Sequence, residues 1–172
     1  MKAISFSVAI LFISLLSCCK DKYTDDDFVL NKTEYIDDQL KIDGYYYSAV
    51  EGEEYYRLYI FYRNGVALIP GVSDNPDEYL SGFSEGSGIY KSKDAWGLFL
   101  IEDNTISIEY YIPKMIEGMP AYLKTGDIIN DTTFVITEVE RSKDGSERRT
   151  INEMYHYKHY SPKPDSTNNF VK

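Results

Sequence analysis

His156 and His159 are the only imidazoles in the 172-residue chain, and side chains three apart on a strand point to opposite faces. They cannot share one metal ion without a bulge, and no cysteine or carboxylate cluster stands beside them. Gly82-Phe83-Ser84-Glu85-Gly86 satisfies the Gly-x-Ser-x-Gly spacing, yet the strand before and the helix after that a nucleophile elbow requires are missing. That segment is read as a loop or helix end. Glu53-Glu54 and Asp77-Glu78 are paired acids with no sign of burial, whereas a glycosidase needs two carboxyls facing each other across a cleft of about 5 to 9 Å. A chain with 28 acids contains such pairs by chance. The reading is non-catalytic, with no catalytic residue, no cofactor and no metal.

Tyrosine is the distinctive residue, 17 in all beside 8 Phe and one Trp. Where two are adjacent in a strand, as at Tyr45-Tyr46 and Tyr110-Tyr111, one ring faces inward and the other outward. Tyr45, Tyr47, Tyr55, Tyr59, Tyr111, Tyr155 and Tyr157 are candidates for an outward recognition surface, because tyrosine presents rigid amphipathic area. The competing reading is structural. Tyrosine suits half-exposed strands, where cross-strand aromatic pairs contribute about 0.2 to 1 kcal/mol each.

The elements that would position these rings are short strands. Tyr55 to Tyr62 alternates, with Tyr56, Leu58, Ile60 and Tyr62 on one face and Tyr55, Arg57, Tyr59 and Phe61 on the other. Asn64-Gly65 signals a type I′ hairpin turn, with Val66 to Ile69 returning. Asp74-Asn75-Pro76-Asp77-Glu78 carries the start signals of a short helix through about Phe83. Strands are then expected near Ile89-Tyr90, over Ala95–Ile101 around Trp96, over Thr105–Ile112, over Ala121–Ile129 and Thr133–Glu140 flanking Asn130-Asp131, and over Met154–Tyr160. The predicted fold is mainly β: an antiparallel meander of about eight strands closed into a small barrel, with one short helix. A β-sandwich is the alternative.

Composition narrows the partners. The net charge of −10 comes without a lysine- or arginine-rich stripe, so nucleic-acid binding, which depends on clustered cations, is disfavoured. The aromatic content of 15% is too high for a disordered chain. Lys2 precedes an apolar run from Ala3 to Leu16, which at about 1.5 Å per residue is too short to cross a hydrocarbon core of about 30 Å and reads as an export signal.

The run ends in Leu15-Leu16-Ser17-Cys18, which resembles the lipobox of bacterial lipoproteins. That resemblance implies that residues 1–17 are a signal peptide and that Cys18 is the acylated mature N-terminus, held to a membrane by two or more acyl chains. Cys19 would be the sole remaining thiol, so the fold must be stabilised by its core rather than by a disulfide. Lys20-Asp21 with Asp25 to Asp27 resembles the charged export signal that surface lipoproteins of Bacteroidota carry after the acylated cysteine. It reads equally as a polar tether spanning residues 18–40.

Asp43-Gly44-Tyr45, Phe61-Tyr62-Arg63-Asn64-Gly65, Gly88-Ile89-Tyr90, Trp96-Gly97, Asp103-Asn104-Thr105-Ile106 and Gly126-Asp127-Ile128-Ile129 follow in an order that resembles the small lipocalin-like, or calycin-like, domains of bacterial lipoproteins. The resemblance covers about residues 40 to 160 and implies a barrel domain over 41–160. Residues 161–172 would be a flexible tail, either mobile or packed as an irregular strap. Asp131-Thr132-Thr133 and Asp165-Ser166-Thr167 look like Bacteroidota O-glycosylation sites, with Thr132 and Ser166 as acceptors. The functional expectation is a lipid-anchored protein of the outer membrane, on its periplasmic or cell-surface side, binding a small apolar ligand or an envelope protein partner. The alternative is an assembly accessory of an outer-membrane complex with no small-molecule ligand.

Overall fold

The computed structural model describes residues 25–83, 87–115 and 118–171. The strands are β1 (Gly44–Ala49), β2 (Tyr56–Phe61), β3 (Val66–Leu68), β4 (Val72–Ser73), β5 (Trp96–Glu102), β6 (Thr105–Tyr111), β7 (Ala121–Asn130), β8 (Thr133–Arg141) and β9 (Arg149–His159), with helix α1 (Pro76–Ser81) between β4 and β5. All neighbours pair antiparallel in the order β1-β9-β8-β7-β6-β5-β3-β2, and β1 pairs again with β2, so eight strands close a barrel. The short β4 adds to β2 beyond the end of β3. Closure leaves the eight strands with no open sheet edge, and the barrel takes the place of the alternative sandwich.

Alternation fills the interior. Tyr46, Tyr59, Phe61, Phe99, Ile106, Ile108, Phe134, Ile136 and Tyr155 point inward and are almost wholly buried. Their rings interlock: Phe61 meets Phe99 at 4.6 Å between centroids, Phe134 stacks on Tyr155 at 4.9 Å, and Tyr46 meets Phe134 at 5.1 Å. At β7, register shifts flank Gly126, where an added Cβ would lie 1.9 Å from the Val135 carbonyl oxygen. This glycine lets β7 and β8 approach closely where the sheet bends.

A second cluster lies outside the barrel. Leu58, Ile60, Val66, Leu68, Trp96 and Leu98 face outward and are buried beneath Leu80, Phe83, Tyr90 and Val171. Trp96 donates its indole N–H to the Tyr90 carbonyl at 2.9 Å. This layer explains why both faces of the alternating run from Tyr55 to Tyr62 are apolar: Arg57, Tyr59 and Phe61 look inward, and the opposite set meets the layer. Helix α1 starts within the expected segment, is capped by Asn75, and ends at Ser81 rather than Phe83.

Three local expectations are corrected. Ile89-Tyr90 is a turn instead of a strand, because Tyr90 bends inward against Phe83 and Trp96. In the β2–β3 hairpin only Gly65 has positive φ, +78°, and its N–H bonds the Tyr62 carbonyl at 3.0 Å. That is a type I turn followed by a left-handed glycine, not type I′. The part of the expected tether that is described, residues 25–40, is docked on the barrel. Val29 and Leu30 donate their N–H groups to the fully buried Glu109 carboxylate at 3.0 and 2.7 Å, Phe28 stacks on Tyr111 at 4.3 Å, and Asp26 is buried against Arg141 at 3.1 Å. Further on, Tyr35 and Leu40 enter the base of the barrel, where the Leu40 N–H bonds the Tyr35 hydroxyl at 2.7 Å.

The C-terminal tail takes the form of a strap. Tyr62 donates its hydroxyl to the Pro164 carbonyl at 2.8 Å, and Tyr90 donates to the carbonyls of Asp165 at 3.1 Å and Thr167 at 2.6 Å. Lys163 lies 4.5 Å from the Tyr62 ring centre and donates to the carbonyls of Ile42 and Phe61. Burial pushes its pKa from 10.5 down to about 8, against the pull of Asp43.

Two outcomes follow. Phe134→Ala removes the ring that Tyr46, Tyr59, Phe61 and Tyr155 share, and urea unfolding should show a loss of about 3 to 5 kcal/mol. Lys163 binds its proton less tightly when folded, so the unfolded chain holds more protons between about pH 8 and the unperturbed value of 10.5. Stability from this group therefore rises with pH across that window and is lost as pH falls through 8. Buried tyrosines such as Tyr46 and Tyr62, whose pKa values are raised, oppose it only above their unperturbed value of 10.0. Unfolding followed from pH 8 to 10 should show the rise in the wild type and lack it in Lys163→Met.

Candidate functional site

The two barrel ends differ. The base receives Tyr35 and Leu40. The mouth, ringed by the β1–β2, β6–β7 and β8–β9 connections, holds charges instead. Lys124 on β7 points inward because it shares parity with Ile128, and its side chain is only 8% exposed. It bonds the Glu153 carboxylate at 2.6 Å, and Arg57 bonds the other oxygen of the same group at 3.2 Å. Tyr155 adds a third donor at 3.1 Å. The Lys124 ammonium lies 6.0 Å from the Tyr59 ring centre and 5.8 Å from that of Tyr110.

These contacts set the chemistry of the mouth. Burial raises the Glu153 pKa, but the opposing charge and hydrogen bond of Lys124, with Arg57 and the Tyr155 hydroxyl, outweigh it and hold the group below its ordinary range. Burial drives the Tyr155, Tyr59 and Tyr110 hydroxyls well above theirs. The carboxylate is occupied by three donors, and burial favours the protonated form of the three phenols. Two cations share one anion, leaving one positive charge beside three aromatic rings. Arg57, 40% exposed along its side chain, reaches solvent.

The seven tyrosines read as an outward surface do not form one. Tyr59, Tyr155 and Tyr157 point into the barrel. Tyr45 and Tyr111 are buried on its outer face, Tyr45 donating to Asp77 at 2.8 Å and Tyr111 lying under Phe28. Tyr47 is half-buried between Tyr45 and Tyr56, and Tyr55 alone of the seven is exposed. Parity along each strand was legible, but not which face would be covered. The mouth residues Lys124 and Glu153 were missed because each has its partner distant in sequence. The one available signal was a lysine at an inward-parity position of a strand.

The remaining candidates are dispersed. His156 is exposed beside Tyr47, while His159 lies 3.4 Å from Asp43. Among the described residues no group of three metal-ligating side chains comes together. Ser84, Glu85 and Gly86 of the Gly-x-Ser-x-Gly match lie outside the described residues, as does Cys18. Thr132 sits in the β7–β8 turn and donates its hydroxyl to Asn130 at 2.8 Å; Ser166 accepts from Asn64 at 3.2 Å. A surface groove of about 400 Å³ at the base is lined by Lys41, Asp131, Arg63 and Asp38, which pair with each other. One of about 430 Å³ runs between Tyr90 and the C-terminal strap.

The architecture is that of an eight-stranded antiparallel barrel, consistent with a lipocalin-like fold. No family model, no curated protein and no solved structure matches the chain.

Glu153→Leu would leave Lys124 and Arg57 without their anion and should cost about 3 to 5 kcal/mol in urea unfolding, whereas the triple change Arg57→Leu, Lys124→Met, Glu153→Leu should recover most of it. Because the folded pKa of Glu153 is depressed, its contribution is complete above the unperturbed value of 4.5 and fades as pH falls through the folded value. The wild type should therefore lose more stability than the triple variant in acid.

Proposed function

We propose that this protein is a non-catalytic, lipid-anchored component of a bacterial cell envelope whose barrel mouth binds a small ligand with an apolar body and one polar or acidic group. The observation that carries the reading is the network of Arg57, Glu153 and Lys124 set among Tyr59, Tyr110 and Tyr155 at one end of an otherwise aromatic interior. A buried ion pair is often no more stabilising than hydrophobic residues of equal volume, so its presence is better explained by binding than by stability. Binding sites typically combine apolar walls with a few placed polar groups. Arg57 retains donors beyond the one given to Glu153, and a guanidinium suits a polar or acidic head group.

The anchor rests on Leu15-Leu16-Ser17-Cys18. With acyl chains on Cys18 the protein would reside in the outer membrane of a Bacteroidota-type cell, and the membrane would be its first partner. A second reading, an accessory of an envelope complex without a small-molecule ligand, is favoured by the tightly packed rings of the lower barrel.

Native mass spectrometry of the protein released gently from its own membranes separates the two. A reproducible extra mass that is lost on denaturation, and absent from Arg57→Ala, is expected. A bare protein mass in both would overturn the ligand reading and favour the accessory. Cys18→Ala should leave the barrel folded and move it from the membrane pellet to the soluble fraction; a mutant still in the pellet would sink the anchor.

A further inference from the structure

The docked N-terminal segment runs the height of the barrel, and its direction is fixed by its contacts. At the base the Tyr35 N–H bonds the Arg63 carbonyl at 2.8 Å, in the β2–β3 turn, and the Lys41 N–H bonds the Asp131 carbonyl at 2.9 Å, in the β7–β8 turn. Midway, Val29 and Leu30 are clamped by Glu109. At the other end Asp25 and Asp26 reach the β6–β7 connection. The Met119 N–H bonds the Asp25 carboxylate at 3.1 Å, and the Asp26 N–H bonds the Met119 carbonyl at 3.2 Å. Arg141 and Lys143, at the end of β8, hold the Asp26 side chain. Asp25, the first described residue, therefore lies at the mouth of the barrel.

The same connection carries the most exposed apolar side chain among the described residues. Lys114 donates its N–H to the Gly118 carbonyl at 2.9 Å and pinches the loop, and Met115, just past that pinch, is fully open to solvent. Across the mouth, the β1–β2 loop carries Glu51, Glu53 and Glu54, all exposed. In the closed strand order these two loops lie on opposite sides of the barrel. One rim of the mouth thus exposes Met115 beside Asp25 and the Lys114–Glu147 pair, and the opposite rim is acidic.

We infer that the barrel sits on the bilayer mouth end first and tilted, with Met115 in the lipid interface beside Asp25 and the acidic β1–β2 loop turned away to solvent. This rests on the Cys18 anchor proposed above. Cys18 stands seven residues before Asp25, and seven residues span at most about 25 Å when fully extended. That short leash keeps the mouth near the membrane, whereas contact through the base, where Ile36 and Ile129 are exposed, would need it almost fully stretched along the barrel. Tilting keeps the carboxylates of Glu51, Glu53 and Glu54 hydrated and leaves Arg57, on the β1–β2 side, open for a ligand arriving along the membrane surface.

The test uses the full chain, processed in its own cells, purified in detergent and reconstituted into phosphatidylcholine vesicles with or without brominated acyl chains. Met115→Trp and Ile36→Trp are compared with the wild type, whose sole tryptophan, Trp96, is buried in the outer cluster and supplies a constant background. Flotation with the vesicles reports the anchor independently. The expected result is that the protein floats and that Met115→Trp emission is blue-shifted and quenched by brominated lipid while Ile36→Trp is not. A protein that floats with Ile36→Trp quenched more than Met115→Trp, or with neither quenched, overturns the orientation and leaves the anchor standing. A protein that does not float overturns both.

Discussion

An eight-stranded barrel encloses a space that side chains can just fill, and the molecule depends on how that space is filled. Here the filler is aromatic. Phe134 lies at the centre of it, within ring contact of Tyr46, Tyr59, Phe61 and Tyr155, residues contributed by β1, β2 and β9. Those are the strands whose pairing closes the barrel. The ring cluster and the closure therefore support each other, since the rings are buried only when the sheet is shut and the seam is held where the rings meet.

Around that cylinder the chain adds a second layer from its ends. The N-terminal segment covers the β6 side and enters the base, and the C-terminal strap covers β2 and β3 with help from α1. Each is fixed by polar groups that would be costly to bury alone: Glu109 by two backbone amides, Lys163 by two carbonyls, Tyr90 by two more. The mouth is the part that neither segment covers, and it is where charge enters the interior.

Much of this was legible in the sequence. Period-two alternation located β2, β6, β7 and β8 to within a residue or two, and turn residues at Asn64-Gly65, Asp103-Asn104 and Asn130-Asp131 marked strand ends. The meander order and its closure followed from the number and spacing of the strands. What did not follow was anything decided by segments distant in sequence. Residues 25–40 looked like a polar tether because their apolar residues have no period, and Phe28, Leu30, Tyr35 and Leu40 find partners only on a surface that exists after the barrel forms. The tyrosines misled for the same reason: Tyr45 and Tyr111 occupy the outward parity, yet outward is not exposed once a second layer arrives. Lys124 and Glu153 are ordinary surface residues in composition. Only the register that places them on the same inner wall makes them a pair.

The seam between the first strand and the last has a kinetic side. Gly44 pairs with His159, so the contacts that shut the cylinder join residues near opposite ends of the domain, and the strap that seals the outer layer comes later still. Such long-range topology delays folding until nearly the whole domain is available. Until both ends of that seam are present, the early hairpins have neither a closed interior nor a cover for Leu58, Ile60 and Leu98.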